Sequence, residues 1–90
     1  MDFTGYNIPA HTQRALQRYV EHGIQPGGFL TAVLSNDLFS AVARADSENL
    51  AALTDIVTFI YNRLPADSWG DSETIRRFSQ RQFFKDTENA

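Results

Sequence analysis

Hydrophobic residues recur every three or four positions along most of the chain, and glycine and proline fall almost only between these periodic stretches. The first stretch opens near Pro9 and runs to about His22, where Gly23 suits the left-handed position that ends a helix. Its inward positions are Leu16, Tyr19, Val20 and Gly23. No stretch alternates with a period of two, so the pattern predicts an all-α fold.

A second helix is predicted as one continuous element from Phe29 to Arg44 or Ala45. Its apolar positions form a broad stripe, made of Phe29, Leu30, Val33, Leu34, Leu38, Ala41 and Val42. Asn36 and Asp37 then fall in mid-helix, where neither residue type is favoured. We therefore expect their side chains either to contact a ligand or to form a buried hydrogen-bond link between helices.

A third helix is predicted to start at Asp46 or Ser47, either of which is a good N-cap, and to close before Pro65. Its apolar seam consists of Leu50, Leu53, Val57, Ile60 and Leu64, widened by Ile56 and Phe59. Asp71 or Ser72 caps a short fourth helix that turns Ile75 and Phe78 inward. Trp69, in the connection before it, is expected to cover the edge of the core.

Together these elements predict one compact all-α domain of three longer helices and a short fourth helix. Residues 1–8 form an N-terminal arm, residues 9–82 the helical domain and residues 83–90 a polar C-terminal tail. A chain of 90 residues without cysteine is long enough for one core, and that core must be held by packing alone.

Composition argues against catalysis and against a bound metal or cofactor. The chain lacks a cysteine nucleophile, and its two histidines, His11 and His22, are not spaced for a helical metal pair. Its serines do not lie in a nucleophile elbow. The sequence therefore predicts a protein that is not an enzyme and has no cofactor.

Charge is distributed unevenly along the chain, although the net charge is only −3. Residues 31–74 contain seven acidic and two basic residues, a net of −5, whereas residues 75–90 carry a net of +2. The acidic total argues against nucleic-acid binding, with the basic fourth helix as the one segment that could contact phosphates. No segment has the apolar length of a membrane helix or a signal peptide, so we expect a cytoplasmic protein.

The loop before the second helix is a candidate ligand site. Backbone N–H groups at the start of a helix can hold an anion, here in the loop of Pro26, Gly27 and Gly28, in which the two glycines have such a group. The predicted ligand-binding set is Pro26, Gly27, Gly28, Asn36, Asp37, Arg14 and Arg18. The alternative is that the glycines serve only as a turn and a helix cap, since neither a P-loop nor a dinucleotide fingerprint is present.

Aromatic residues near the C-terminal end form a candidate partner interface. Large aromatic side chains and arginines are typical of interface hot spots. The predicted interface set is Trp69, Phe83, Phe84, Arg77 and Arg81. The broad apolar stripes of the second and third helices also suggest self-association or partner docking.

A composite pattern over about residues 8–75 resembles a family of small proteins from tailed phages and prophages. The pattern consists of Ile8-Pro9 with His11-Thr12, Ala15-Leu16, Tyr19-Val20-Glu21 with Gly23, Pro26-Gly27-Gly28-Phe29-Leu30-Thr31-Ala32-Val33-Leu34, Asn36-Asp37-Leu38, Ala45-Asp46 and Trp69-Gly70. The resemblance implies a phage-type accessory protein and supplies no catalytic residues. The positions of Asp71 and Phe78 depart from the serine and tryptophan of the pattern.

Three functions follow as hypotheses. The first is a non-catalytic protein that binds and modulates a host or anti-phage defence protein. The second is a sponge that sequesters a nucleotide-like anionic small molecule, with a homo-oligomer as the expected assembly. The third is nucleic-acid binding through the basic fourth helix.

Overall fold

A computed structural model describes residues 1–88, and in that range it shows six α-helices, one 3-10 turn and no strand. The helices are α1 (Ala10–His22), α2 (Gly28–Leu34), α3 (Leu38–Arg44), α4 (Ser47–Ala51), α5 (Leu53–Arg63) and α6 (Ser72–Glu88), with the 3-10 turn at Ala66–Ser68. The predicted all-α fold is confirmed. The predicted number of helices is wrong, because the second and third helices are each broken in two.

The first break lies at Asn36 and Asp37, between α2 and α3. Asn36 adopts a positive φ of 65°, and the Asp37 N–H donates to the Ala32 carbonyl 2.8 Å away, which closes α2. The Asp37 carboxylate then accepts the Ser40 N–H at 3.3 Å and caps α3. Both residues thus occupy the helix-end positions that their types favour, and neither is in mid-helix.

The second break lies at Ala52, where ψ is 6° and α4 gives way to α5. Asp46 caps α4 by accepting the Asn49 N–H at 2.7 Å, which confirms one of the two predicted caps. At the other end, Leu64 is extended, as the residue before Pro65 must be, and α5 ends there as predicted.

The fourth predicted helix is wrong in its length, because α6 has 17 residues and is the longest helix described. Asp71 caps it by accepting the Thr74 N–H at 2.8 Å, and that hydrogen bond lowers the pKa of Asp71. Ile75 and Phe78 are buried as expected. The helix continues across the predicted boundary at residue 82, while residues 89 and 90 of the predicted tail lie outside the described range.

Hydrogen bonds to the end of α1 hold the C-terminal half of α6 in place. The Gln82 side chain donates to the Val20 carbonyl at 2.7 Å, and the Ser79 hydroxyl donates to the Gly23 carbonyl. Gly23 closes α1 at φ 71°, as predicted, and its missing side chain leaves room for the α6 backbone.

One apolar core joins five of the six helices, and α4 reaches it only through Ala52 at its C-terminal end. The core contains Ile8, Leu16, Tyr19, Phe29, Leu30, Ala32, Leu34, Ala41, Ala52, Ile56, Phe59, Ile60, Leu64, Ile75 and Phe78. The Cα radius of gyration is 12.5 Å, close to the value of about 12 Å expected for a compact chain of this length. Within residues 1–88, no helix has both the length and the apolar content to cross a bilayer.

The N-terminal arm packs on α5. Phe3 stacks on the Phe59 ring at a centroid distance of 4.4 Å, and Tyr6 meets the same ring edge-on at 5.1 Å. The Asn7 N–H donates to the Asp55 carboxylate at 2.6 Å. The arm therefore covers one side of α5 and leaves another side of that helix open.

Candidate functional sites

A group of large apolar side chains on α3 and α5 faces solvent. We call it the α3–α5 face and define it as Leu38, Phe39, Val42, Val57 and Tyr61. Phe39 is 88% exposed and Tyr61 is 71% exposed, whereas a globular domain normally covers most of such a side chain. Three of these residues, Leu38, Val42 and Val57, belong to the broad apolar stripes of the predicted second and third helices, and all three are exposed.

Two shallow grooves join the two halves of this face. The first, of about 180 Å³, lies between Leu38 on α3 and Leu53 and Val57 on α5. The second, of about 110 Å³, continues past Val57 to Tyr61 and Trp69. Val33 and Asn36 line both grooves, so the apolar surface is continuous from α3 across to α5.

The exposed apolar area of this surface follows from its side chains. An aromatic side chain covers on the order of 150–250 Å² when buried, so Phe39 and Tyr61 alone expose a few hundred Å². With the three aliphatic residues the face reaches roughly the upper end of the 300–600 Å² found for the largest patch on a typical monomer. Asp37 is the one charged residue that lines its grooves.

A separate, polar cleft of about 300 Å³ lies where α1, α2 and α3 meet the start of α4. Its lining residues are His11, Thr12, Ala15, Gly27, Gly28, Phe29, Leu30, Arg44, Asp46 and Asn49. Two of the predicted ligand-binding residues, Gly27 and Gly28, are therefore in a cleft. Because α2 has only seven residues, its N-terminus by itself is too short a dipole to hold an anion.

The other predicted ligand-binding residues lie elsewhere. Asn36 and Asp37 form the junction between α2 and α3 and line the grooves of the α3–α5 face. Pro26, Arg14 and Arg18 do not line the cleft; the Pro26 carbonyl accepts the Thr31 hydroxyl at 3.0 Å. The cation that the structure brings to Gly28 is Arg44, which the sequence did not single out.

Arg44 lies directly over Gly28. A Cβ atom built on Gly28 would stand 2.7 Å from one guanidinium nitrogen and 3.2 Å from Cδ of Arg44, so a larger residue at this position would make the end of the Arg44 side chain shift. In the part of the chain that the structure describes, the guanidinium makes neither an ion pair nor a hydrogen bond. The two residues are far apart in sequence, and spacing alone could not have brought them together.

The acidic and polar side chains of the cleft bond to one another. One Asp46 oxygen caps Asn49, and the other lies 3.2 Å from His11 Nε2. The buried Asn49 side chain accepts the Thr12 hydroxyl at 2.5 Å, which ties α4 to α1. Asp46 is thus engaged with His11 and Asn49, and its distance from the Arg44 guanidinium exceeds that of an ion pair.

The residues of the predicted partner interface do not form one surface. Trp69 is half-buried against the core and lies 5.9 Å from the Tyr61 ring, next to the α3–α5 face. Phe83 and Phe84 are both exposed on the C-terminal half of α6, beyond the predicted domain boundary. Arg77 and Arg81 line a third cleft, with Asp67, Trp69 and Phe78 among its other residues.

The arginines of α6 are largely engaged with acidic groups of the same chain. Arg76 pairs with Glu73, Arg77 lies 3.8 Å from the same carboxylate, and Arg81 pairs with Asp67 at 2.5 Å. The bond from Arg76 lowers the pKa of Glu73. The basic helix therefore presents less free positive charge than its composition suggests, and nothing in this geometry favours nucleic acid.

Titratable groups do not gather into a catalytic arrangement within residues 1–88. Burial, and to a lesser extent the nearby Asp67 charge, raise the pKa of Tyr19, whose hydroxyl donates to the Ser68 carbonyl at 2.7 Å. That environment is structural, since the hydroxyl faces no cleft named above. Over the same range, no cluster of three or more His, Asp or Glu side chains is placed to hold a metal ion.

Comparisons of the chain with protein-family models, with curated proteins and with solved structures gave no match. The α3–α5 face and the polar cleft are therefore the two features from which a function can be inferred.

Proposed function

We propose that this chain is a non-catalytic binding protein whose α3–α5 face docks onto a protein partner. The observation that carries the proposal is the 88% exposure of Phe39, whose chain neighbour Leu38 lines one of the two apolar grooves between α3 and α5. Leaving such a surface in water forgoes about 25 cal/mol for each Å² that a partner would cover. Hot-spot residues at interfaces are typically large aromatic side chains like Phe39 and Tyr61.

The partner is a protein with an apolar surface bordered by basic residues. Asp37 lies in the groove of this face, and the face belongs to residues 31–74, which stay acidic after Asp67 and Glu73 are paired with arginines of α6. Two copies of this chain would bring two such acidic segments together, which disfavours self-association through this face. A standard interface buries about 800 Å² per partner, so the apolar face forms its centre and the charged surroundings form its rim.

The setting we propose is the cytoplasm of a bacterial host. The resemblance to small proteins of tailed phages and prophages supports a host or anti-phage defence protein as the partner. Binding of this kind modulates the partner by covering part of its surface, and it needs neither a catalytic residue nor a cofactor.

The test compares two serine substitutions at exposed phenylalanines. Phe39→Ser changes the α3–α5 face, and Phe84→Ser is the matched control on α6. Both side chains are exposed, so each change should alter the free energy of unfolding by no more than about 0.5 kcal/mol. A photo-crosslinking amino acid at position 42 then captures the partner in a host lysate, with the same probe at position 85 as the second control.

The expected result is one partner that crosslinks from position 42 and not from position 85. Its capture is lost in Phe39→Ser and retained in Phe84→Ser, and it weakens as salt rises because the rim is charged. Capture that is equal in the two variants would contradict the proposal. A crosslinked species of twice the chain mass would show that the face is occupied by a second copy and would equally overturn it.

A further inference from the structure

The polar cleft holds a cation whose hydrogen-bonding capacity is unused in the described structure. A guanidinium has five N–H donors in a planar fork, and the Arg44 fork lines an open cleft without a carboxylate partner among residues 1–88. Asp46 lines the same cleft, yet its two oxygens face His11 and Asn49 instead. Arg44 is exposed to solvent, so the cleft presents donors that no acceptor of the described chain takes.

The remaining walls of the cleft are apolar. Ala15, Phe29 and Leu30 line it together with the polar groups, and Gly28 contributes no side chain in front of Arg44. A bare inorganic ion would use only the polar end. A molecule with an anionic group at one end and an uncharged body would use both. The volume of about 300 Å³ lies at the low end of the range for small-molecule sites.

We infer that this cleft binds a small phosphate ester, with Arg44 as the direct contact to the phosphate. Arginine suits this task because its fork matches two phosphate oxygens at once. The ester's organic part lies against Ala15, Phe29 and Leu30. The Asn49–Thr12 hydrogen bond acts as the support that holds α4 and α1 on either side of the ligand.

The site is independent of the proposed protein interface. Arg44 projects from α3 toward Gly28, while Leu38, Phe39 and Val42 project toward solvent from the same helix. The Phe39→Ser variant should therefore bind the phosphate ester as the unchanged protein does. A negative result for phosphate-ester binding would therefore leave the proposed protein interface unaffected, and the reverse also holds.

The experiment is a titration of the full chain with adenosine 5′-monophosphate, followed by the amide resonances of the protein. Shifts are expected at Gly28, Arg44 and His11. Adenosine should produce none of them, and inorganic phosphate should bind more weakly than the nucleotide because it leaves the apolar wall uncovered. Titration with acetate tests whether any small anion is enough to shift these amide resonances.

Two variants and one control locate the contact. Arg44→Gln removes the guanidinium, and Gly28→Asp places a carboxylate beside it, so each should weaken binding by about tenfold or more. Gly28→Asp is compatible with folding because an acidic residue is favourable in the first turn of a helix. Arg77→Gln makes the same change in net charge on α6, outside the cleft, and should leave binding unchanged.

Three results would overturn the inference. The first is that the nucleotide causes no shift at millimolar concentration in the unchanged protein. The second is that Arg44→Gln binds it as tightly as Arg77→Gln does. The third is that adenosine or acetate shifts the same amides to the same extent.

Discussion

At the scale of single residues, the Tyr19 hydroxyl is a polar group in the core that needs a hydrogen-bond partner. The side chain has no solvent-accessible surface, and its hydroxyl donates a hydrogen bond to the Ser68 carbonyl in the turn before α6. We expect Tyr19→Phe to lower the free energy of unfolding by about 1–3 kcal/mol, because the carbonyl would be left buried without a donor. Urea denaturation measures this, and a change below about 0.5 kcal/mol would contradict the role.

The same residue predicts how stability depends on alkaline pH. Burial raises the pKa of Tyr19 above its ordinary value of 10.0. Above pH 10 the unfolded chain ionises at this residue while the folded chain does not, so the free energy of unfolding falls as pH rises. Denaturation at several pH values between 8 and 11 should show this decline. The decline should be smaller in Tyr19→Phe, and equal slopes in the two proteins would refute the assignment.

At Gly23, the addition of a single methyl group should strongly lower the stability of the fold. A Cβ there would stand 2.6 Å from the Phe83 backbone nitrogen and closer still to the Ser79 carbonyl oxygen, and φ is 71°. Gly23→Ala should therefore destabilise the fold by more than about 2 kcal/mol, since strain and a backbone clash add. Gly27→Ala is the control: its Cβ meets nothing within 4 Å, and it should cost less than about 1 kcal/mol.

At the scale of elements, the junction of α2 and α3 determines which side chains reach solvent. Asp37→Ala should cost about 1 kcal/mol because α3 loses the cap on its first turn, whereas Asp37→Ser keeps a capping oxygen and should cost less. Asn36→Gly should be tolerated at the positive φ, and Asn36→Val should be destabilising. Thermal unfolding of the four variants gives the order. Equal stability of Asp37→Ala and Asp37→Ser would mean that the carboxylate is not acting as a cap.

At the scale of the whole molecule, the helices differ in how firmly they are held. Ala41 is the one buried residue of α3, whereas α1 and α5 contribute Leu16, Tyr19, Ile56 and Phe59, which are fully buried. We expect amide hydrogens of α3 to exchange faster than those of α1 and α5, because few contacts must break to open α3. Hydrogen exchange measured by mass spectrometry tests this. Protection of α3 equal to that of α5 would show a single cooperative unit.

Local signals in the sequence determined the helical class and most helix ends. Gly23, Pro65 and the caps at Asp46 and Asp71 act through their own backbone geometry and hydrogen bonds, so their effects are legible without knowing the fold. The inward positions of α1 and α6 were also predictable, because each lies on one uninterrupted helix with a clear apolar side.

The tertiary structure alone decided which apolar stripes are covered and which charged groups meet. Periodicity predicts which residues share a side of a helix, but the breaks at Asn36 and Ala52 set the directions of α3 and α5, and with them the exposure of Leu38 and Val57. Likewise, Arg44 reaches Gly28 because α3 folds back beside α2. Both candidate sites arise from contacts between segments distant in sequence, and their geometry depends on how the helices pack together.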